Sequence, residues 1–259
     1  MSRAAALTGG ASNSARLLMI RSMVMLFFIL AVLPAPVHAF SFQQNSFSKQ
    51  ISTLFHSPEL KNKVDPKVLN MALAGYYSLK EQGKVNRDGI LTVIDFNKPS
   101  VDDRLFVIDI NRGRLLYSGL VAHGSGSGDN YAYDFSNAPG SHKSSLGFYR
   151  TGMTYDGKHG YSLRLQGMEP GINDNAESRS IVIHGADYVS QDFIRKHGRL
   201  GRSQGCPAVS FDSFQHVIDL IKDGSCLFIY HRDGEYSSGS RLINPGFALL
   251  QNNSGTLAS

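Results

Sequence analysis

Apolar positions along this chain change their period between Gly83 and Ile90. Before that point Val68, Leu69, Ala72, Leu73, Tyr76 and Leu79 recur at spacings of one, three and four, the stripe of an amphipathic helix. Asp65-Pro66 supplies an N-cap and a proline at the first helical position, and Gly83 marks the stop. Beyond it come short runs rich in Val, Ile, Leu and Phe, predicted as strands over 90–96, 104–110 and 114–122. Asn97-Lys98-Pro99-Ser100 and Asn111-Arg112-Gly113 punctuate them, the second as a tight hairpin turn. Residues 180–183 and 226–231 read as further strands. Phe214, Val217, Ile218 and Ile221 predict a second helix, capped by Ser210 or Asp212 and ended by Asp223-Gly224. The sum is a mostly β domain with an N-terminal helix and a short later one. No internal repeat is visible.

Other segments lack a period. Residues 40–57 are polar and aromatic and read as a loosely docked lead-in. From Gly234 the Ser-, Gly- and Asn-rich tail reads as poorly ordered. Residues 125–145 and 167–178 are long and irregular, which in a compact domain points to function, here a substrate wall. The resulting division is a leader over 1–39, a helical appendage over 40–85, a main domain over 86–233 and a flexible tail over 234–259.

The leader changes how the charge is read. Its first 39 residues hold Arg3, Arg16 and Arg21 and no acid, then an apolar stretch from Met23 to Leu33, then Val37-His38-Ala39. This is the layout of a secretory signal peptide cut after Ala39. The apolar core falls short of the ~20 residues a membrane span needs. Removing three arginines takes the formal charge from +5 to +2. A nucleic-acid partner thereby loses its support, and no integral membrane segment is expected after cleavage. About 220 residues remain, enough for one buried core plus an appendage. Export places the protein in the periplasm or cell envelope, an oxidising setting in which a Cys206–Cys226 disulfide has to be weighed. Against it, Cys226 sits in the apolar run Cys226-Leu227-Phe228-Ile229-Tyr230, where a thiol behaves as a small buried hydrophobe.

Cys206 is different. It lies in Gly201-Arg202-Ser203-Gln204-Gly205-Cys206-Pro207, downstream of Ile181-Val182-Ile183-His184-Gly185. A thiol needs a nearby imidazole to become a nucleophile at neutral pH, and a strand end holds one rigidly. Gly205 leaves room for a substrate carbonyl and for backbone N–H groups aimed at an oxyanion. The pattern is that of a Cys–His acyl-transfer enzyme.

On these residues the chain resembles the L,D-transpeptidase (YkuD-type) catalytic domain, in its murein L,D-transpeptidase catalytic-domain-like branch. His184-Gly185 followed by Ser203-Gln204-Gly205-Cys206 matches the family's His-Gly and Ser/Thr-His-Gly-Cys elements, with Gln204 where the family carries a second histidine. His123-Gly124, Pro139-Gly140-Ser141, Ser144-Ser145-Leu146-Gly147, His159-Gly160 and Gly201-Arg202-Ser203 are similar to the branch, over 91–231. The resemblance implies a β-sandwich or barrel-like fold and a reaction on peptidoglycan stem peptides. Cys206 would attack the carbonyl of a diaminopimelate-type residue and expel the terminal D-alanine. His184, oriented by the Gly185 carbonyl, would be the sole base, since glutamine takes no proton. Gly205 and Cys206 N–H groups would hold the oxyanion. An amine acceptor gives a 3→3 crosslink and water gives carboxypeptidase trimming. No metal or organic cofactor is implied.

Further candidates for substrate binding are Ser203, Arg202 as a carboxylate partner, Tyr188, His123 and His159. The spacing of His123, His142, His159 and His197 is not that of a zinc site. Glu169 and Asp174 read as solvated loop acids. Two other readings stay open: a papain-like cell-wall cysteine peptidase, and a non-enzymatic envelope or peptidoglycan-binding domain of the same fold. The oligomeric state is not readable from the sequence.

Overall fold

The computed structural model describes residues 49–232 and 234–254. The leader over 1–39 lies outside the described residues, as does the start of the lead-in. Nine strands form one sheet among the described residues: β1 (Ile90–Asp95), β2 (Leu105–Asp109), β3 (Arg114–Gly119), β4 (Val121–Ala122), β5 (Gly147–Gly157), β6 (Gly160–Gly167), β7 (Val182–Ala186), β8 (Ala208–Ser210) and β9 (Cys226–Tyr230). Their order is β3-β2-β1-β9-β5-β6-β7-β8-β4. β3 and β4 are thus opposite edges, yet only Leu120 separates them in the chain. Two Cα steps span at most about 7 Å. The sheet must therefore curl until its edges meet, which gives a nearly closed barrel and a mostly β fold. The sequence read 114–122 as one strand; the break at Leu120 is what turns the chain from one edge to the other.

The apolar runs lie at the centre. β1 and β9 pair in parallel, Leu91 opposite Cys226, and β9 is buried along its whole length. Continuous rather than alternating apolar character is what strands covered on both faces require. Between β2 and β3 the side chain of Asp109 accepts from the Asn111 and Arg112 N–H groups, both at 3.0 Å, and Gly113 takes φ 65°. The expected turn forms by an Asx device.

Helix α1 (Pro58–Lys61) precedes α2 (Pro66–Glu81), whose Asp65 cap accepts from the Lys67 N–H at 2.7 Å. The stripe expected on α2 joins the main core with β1, β2 and β9. Gly75 faces Phe148, whose ring stacks on Phe228 at 4.2 Å; a Cβ at Gly75 would overlap the Phe148 ring. Helices α3 (Gln191–His197) and α4 (Phe214–Ile221) follow, and α4 buries Val217, Ile218 and Ile221 as expected. Its cap is Ser213 rather than Ser210 or Asp212.

Both ends depart from the sequence reading. Residues 49–56 are helical with Leu54 fully buried, and Gln50 Nε2 donates to the Ile110 carbonyl at 3.1 Å. The tail is not an unstructured string. It forms α5 (Gly234–Gly239) and α6 (Ile243–Ser254), with Tyr236, Leu242, Ile243 and Leu250 in the core. Glu169, expected in solvent, is buried beneath them. Its carboxylate accepts from the Phe148 N–H at 2.8 Å, the Tyr236 hydroxyl at 2.9 Å and the Ser240 hydroxyl at 2.5 Å. Asp174 stays in its loop, accepting from Asn137 Nδ2 and the Gly171 N–H. No helix among the described residues is long and apolar enough to cross a membrane.

Candidate active site

Strand pairing brings the two ends of the motif together. β8 begins two residues after Cys206, and its first residue, Ala208, is the parallel Cα partner of His184 on β7. Val182 and His184 stand two apart on β7, so they share one face of the strand, and Ser180 lies in the turn just before it. All three line a cavity of about 560 Å³ together with Cys206, Tyr188 and His159.

His184 is only 3% exposed. Its Nδ1 lies 2.9 Å from the Gly185 carbonyl. A carbonyl only accepts, so Nδ1 carries the proton and Nε2 the lone pair. Burial holds the imidazole below its ordinary pKa, and His159 and Lys158 add to this, while the Gly185 bond opposes it. The side chain is therefore a neutral base at neutral pH. A Cβ on Gly185 would stand 2.8 Å from the Phe211 ring and 2.9 Å from the Phe214 ring, so any larger residue requires those rings to shift.

The Cys206 thiol donates toward the Ser180 carbonyl at 3.7 Å and accepts from the Val182 N–H. Burial raises its pKa, while the Val182 N–H, Arg179 and Lys158 lower it. No hydrogen bond joins it to His184 among the described residues. Catalytic contacts are often long in ligand-free enzymes and tighten with substrate. Cys226 is free, fully buried and far up the pKa scale through desolvation; Cys206 is also free, so the two form no disulfide.

Serines and carbonyls shape the loop that carries Cys206. Ser203 Oγ accepts from the Gly205 N–H at 3.1 Å and donates to the Cys206 carbonyl at 2.6 Å. Ser144 Oγ donates to the Gly205 carbonyl at 3.1 Å. Gly205 holds φ 117°, and a Cβ there would stand 2.9 Å from the Lys143 carbonyl. The Gly205 N–H, expected in an oxyanion hole, is thus already taken. The Cys206 N–H has no partner among the described residues.

The remaining candidates divide. Tyr188 and His159 line the cavity, and the His159 ring stacks on His184 at 4.4 Å from the tip of the β5–β6 hairpin. Burial, with the Cys206 and Asp187 charges, raises the Tyr188 phenol to about 12. Arg202 borders the cavity, but its guanidinium is held by Asp129 at 2.7 Å and the Gly128 carbonyl at 3.0 Å. A free carboxylate fork is not on offer there. Ser203 also borders the cavity, with its hydroxyl committed to the loop.

His123 is not in the cavity. It is wholly buried; its Nδ1 accepts from Arg104 Nη2 at 2.8 Å and its Nε2 donates to the Gly128 carbonyl at 3.3 Å. Its own carbonyl accepts from the Ser203 N–H at 3.0 Å, so it supports the loop from behind. No group of three His, Cys, Asp or Glu suited to a metal occurs among the described residues.

Arg179, Lys158, His142 and Gln204 also line the cavity and were not singled out as site residues. The period-two relation to His184 would have flagged Val182; Arg179 and Ser180 enter from the turn before β7. His142 and Ser180 hold φ 54° and 56°, rare for non-glycine residues and concentrated here at the cavity wall.

The L,D-transpeptidase catalytic domain family matches residues 60–230, and the chain belongs to it. The match takes in α2, which the sequence reading set apart as an appendage. Among solved structures the fold is similar to an L,D-transpeptidase from Mycobacterium smegmatis, at 12% identity and TM-score 0.36, covering 55% of this chain and 59% of that one. It is also similar to the helical cell shape determining protein Pgp2 from Campylobacter jejuni, at 14% identity and TM-score 0.39, covering 63% and 57%. The chain thus spans less than two thirds of either. We find no match among curated proteins.

Proposed function

We propose that this protein is an exported, cysteine-dependent acyltransferase acting on peptidoglycan stem peptides. The observation that carries the reading is the shared cavity of Cys206 and His184, with Nδ1 of His184 fixed on the Gly185 carbonyl so that Nε2 is the basic nitrogen. His184 takes the thiol proton, and the Cys206 thiolate adds to the carbonyl before the terminal D-alanine. The oxyanion is held by the Cys206 N–H, and collapse expels D-alanine, which receives the proton from His184. The acyl-enzyme then passes to an amine or to water. Tyr188 and His159 wall the acyl site. Such work lies outside the cytoplasm, which agrees with the secretory character of residues 1–39.

Intact-mass spectrometry after exposure to a carbapenem should show one adduct, lost in Cys206→Ala. Incubation with disaccharide-tetrapeptide, with products resolved by mass, should release D-alanine and separate crosslinking from trimming. A folded protein that gives neither adduct nor product would favour the non-enzymatic, peptidoglycan-binding reading.

A further inference from the structure

The cavity around Cys206 is unusual in its charge. Its lining includes Lys158, Arg179 and Arg202 but no Asp or Glu. Arg202 is neutralised by Asp129, and Lys158 is an exposed residue of the hairpin turn. Arg179 is neither. It is half-buried, and four neutral acceptors fix its guanidinium. Nη1 donates to the Ser136 carbonyl at 2.8 Å and to Ser145 Oγ at 2.6 Å, while Nη2 donates to the Lys143 carbonyl at 2.6 Å and to Ser141 Oγ at 3.4 Å. No carboxylate pairs with it among the described residues.

Such a charge is costly to bury unless something compensates it. Its place says what does. Arg179 immediately precedes Ser180, whose carbonyl receives the Cys206 thiol. Nη2 also lies against the residue before the nucleophile, 3.3 Å from where a Cβ on Gly205 would stand. We propose that Arg179 is the fixed counter-charge of the Cys206 thiolate, a positioning residue that supplies from the turn before β7 the stabilisation that Gln204 does not. The idea rests on Cys206 being the nucleophile. The coupling runs both ways: burial lowers the Arg179 pKa and raises that of the thiol, and each charge opposes the shift of the other.

Other titratable groups face the same space. His184 comes from β7, Tyr155, Lys158 and His159 from the hairpin, Tyr188 from the loop after β7, His142 from the 136–145 segment and Arg202 from the loop that carries Cys206. Of these, Lys158 also favours the thiolate, but from an exposed position where solvent screens it.

The test is the pH dependence of Cys206 alkylation by iodoacetamide, which needs no turnover and no substrate. In Arg179→Met the midpoint should rise by about one pH unit, a tenfold loss of thiolate at a given pH. Arg179→Lys should lie close to wild type, because it keeps the charge though it cannot keep all four hydrogen bonds. Ser145→Ala removes a loop anchor and leaves the guanidinium in place, so its midpoint should not move. If Arg179→Met fails to fold, Arg179→Gln, which also removes the charge, stands in for it with the same expected rise. If Arg179→Lys shifts as far as Arg179→Met, or Ser145→Ala shifts at all, the role is structural and the proposal falls. Carbapenem adduct formation on wild type reads the acyl-transfer function separately.

Discussion

The rings of His159 and His184 stack with centroids 4.4 Å apart and planes 22° from parallel. The hairpin tip thereby lays one imidazole over the other, shielding His184 from water and placing a second imidazole against it. Burial, and then the His159 and Lys158 charges, lower the pKa of His184. His159→Ala would remove a charge and admit solvent, and both changes raise that pKa. A base must be neutral to act, so a raised pKa moves the acidic limb of kcat/KM to higher pH. We expect His159→Ala to lose activity selectively below pH 6.5, with little change near pH 8. A pH–rate profile whose acidic limb superimposes on wild type would remove His159 from this role.

Ser203 carries the loop rather than the substrate. Its hydroxyl is the acceptor for the Gly205 N–H and the donor to the Cys206 carbonyl. Ser203→Ala strands a buried N–H, a loss of about 1–3 kcal/mol. Gly205→Ala adds a Cβ at φ 117° against the Lys143 carbonyl, which displaces the next residue, Cys206. We expect both to lower kcat more than they raise KM, and Gly205→Ala to be the worse. Ser203→Thr, which keeps the hydroxyl, should recover most of the loss. Equal kcat for Ser203→Ala and wild type would show that the loop holds its shape without this bridge.

Legibility tracked the physics that leaves a mark in local order. The α2 stripe, the β1 and β9 runs and the Asn111-Arg112-Gly113 turn all show a single period or turn code, and each forms. The β5–β6 hairpin, which holds the longest strands, went unread because Gly147, Gly152 and Gly157 interrupt its alternation and polar residues fill one face. Helix α3 buries none of its residues, so no apolar stripe announced it; only Ser190, accepting from the Phe193 N–H, and Gly198 in the left-handed region mark its ends. The tail was misread on composition, since its few apolar residues are the ones that pack. At the site, the meeting of Cys206 and His184 at one cavity was legible from residue chemistry. The burial of His123 and the place of Arg179 depend on how distant loops meet, which no local pattern encodes.

His123 has a consequence for acid stability. Burial first, and the Arg104 charge next, hold its pKa at about 3, far below the ordinary 6.5. Folded protein keeps it neutral where unfolded chain takes up a proton. Its contribution is therefore complete above pH 6.5 and is lost as pH falls toward 3, by up to about 1.4 kcal/mol per pH unit. His123→Gln can still accept from Arg104 and donate to Gly128, but does not titrate. We expect denaturation midpoints of wild type to fall more steeply than those of His123→Gln between pH 6.5 and 4. Parallel slopes would mean that other groups set the acid response.

The docked tail gives the last expectation. Helix α6 lies so close to α2 that a Cβ on Gly246 would overlap the Ala74 carbonyl oxygen, which is backbone and cannot swing aside. Glu169 anchors the same region through Tyr236 and Ser240, and Leu242, Ile243 and Leu250 are buried. Each such side chain is worth roughly 1.5–3 kcal/mol when removed from water. Gly246→Ala should therefore push α6 off α2 and lower Tm, and truncation after residue 233 should lower it further by uncovering Glu169 and the core face of α2. Glu169→Gln should fall between wild type and truncation, since an amide accepts with one oxygen where the carboxylate uses two. Carbapenem adduct formation on Cys206 should survive Gly246→Ala at low temperature, because none of the residues that line the cavity belongs to the tail. An unchanged Tm for both Gly246→Ala and the truncated chain would mean that the tail contributes nothing to the fold and that the reading from composition was right.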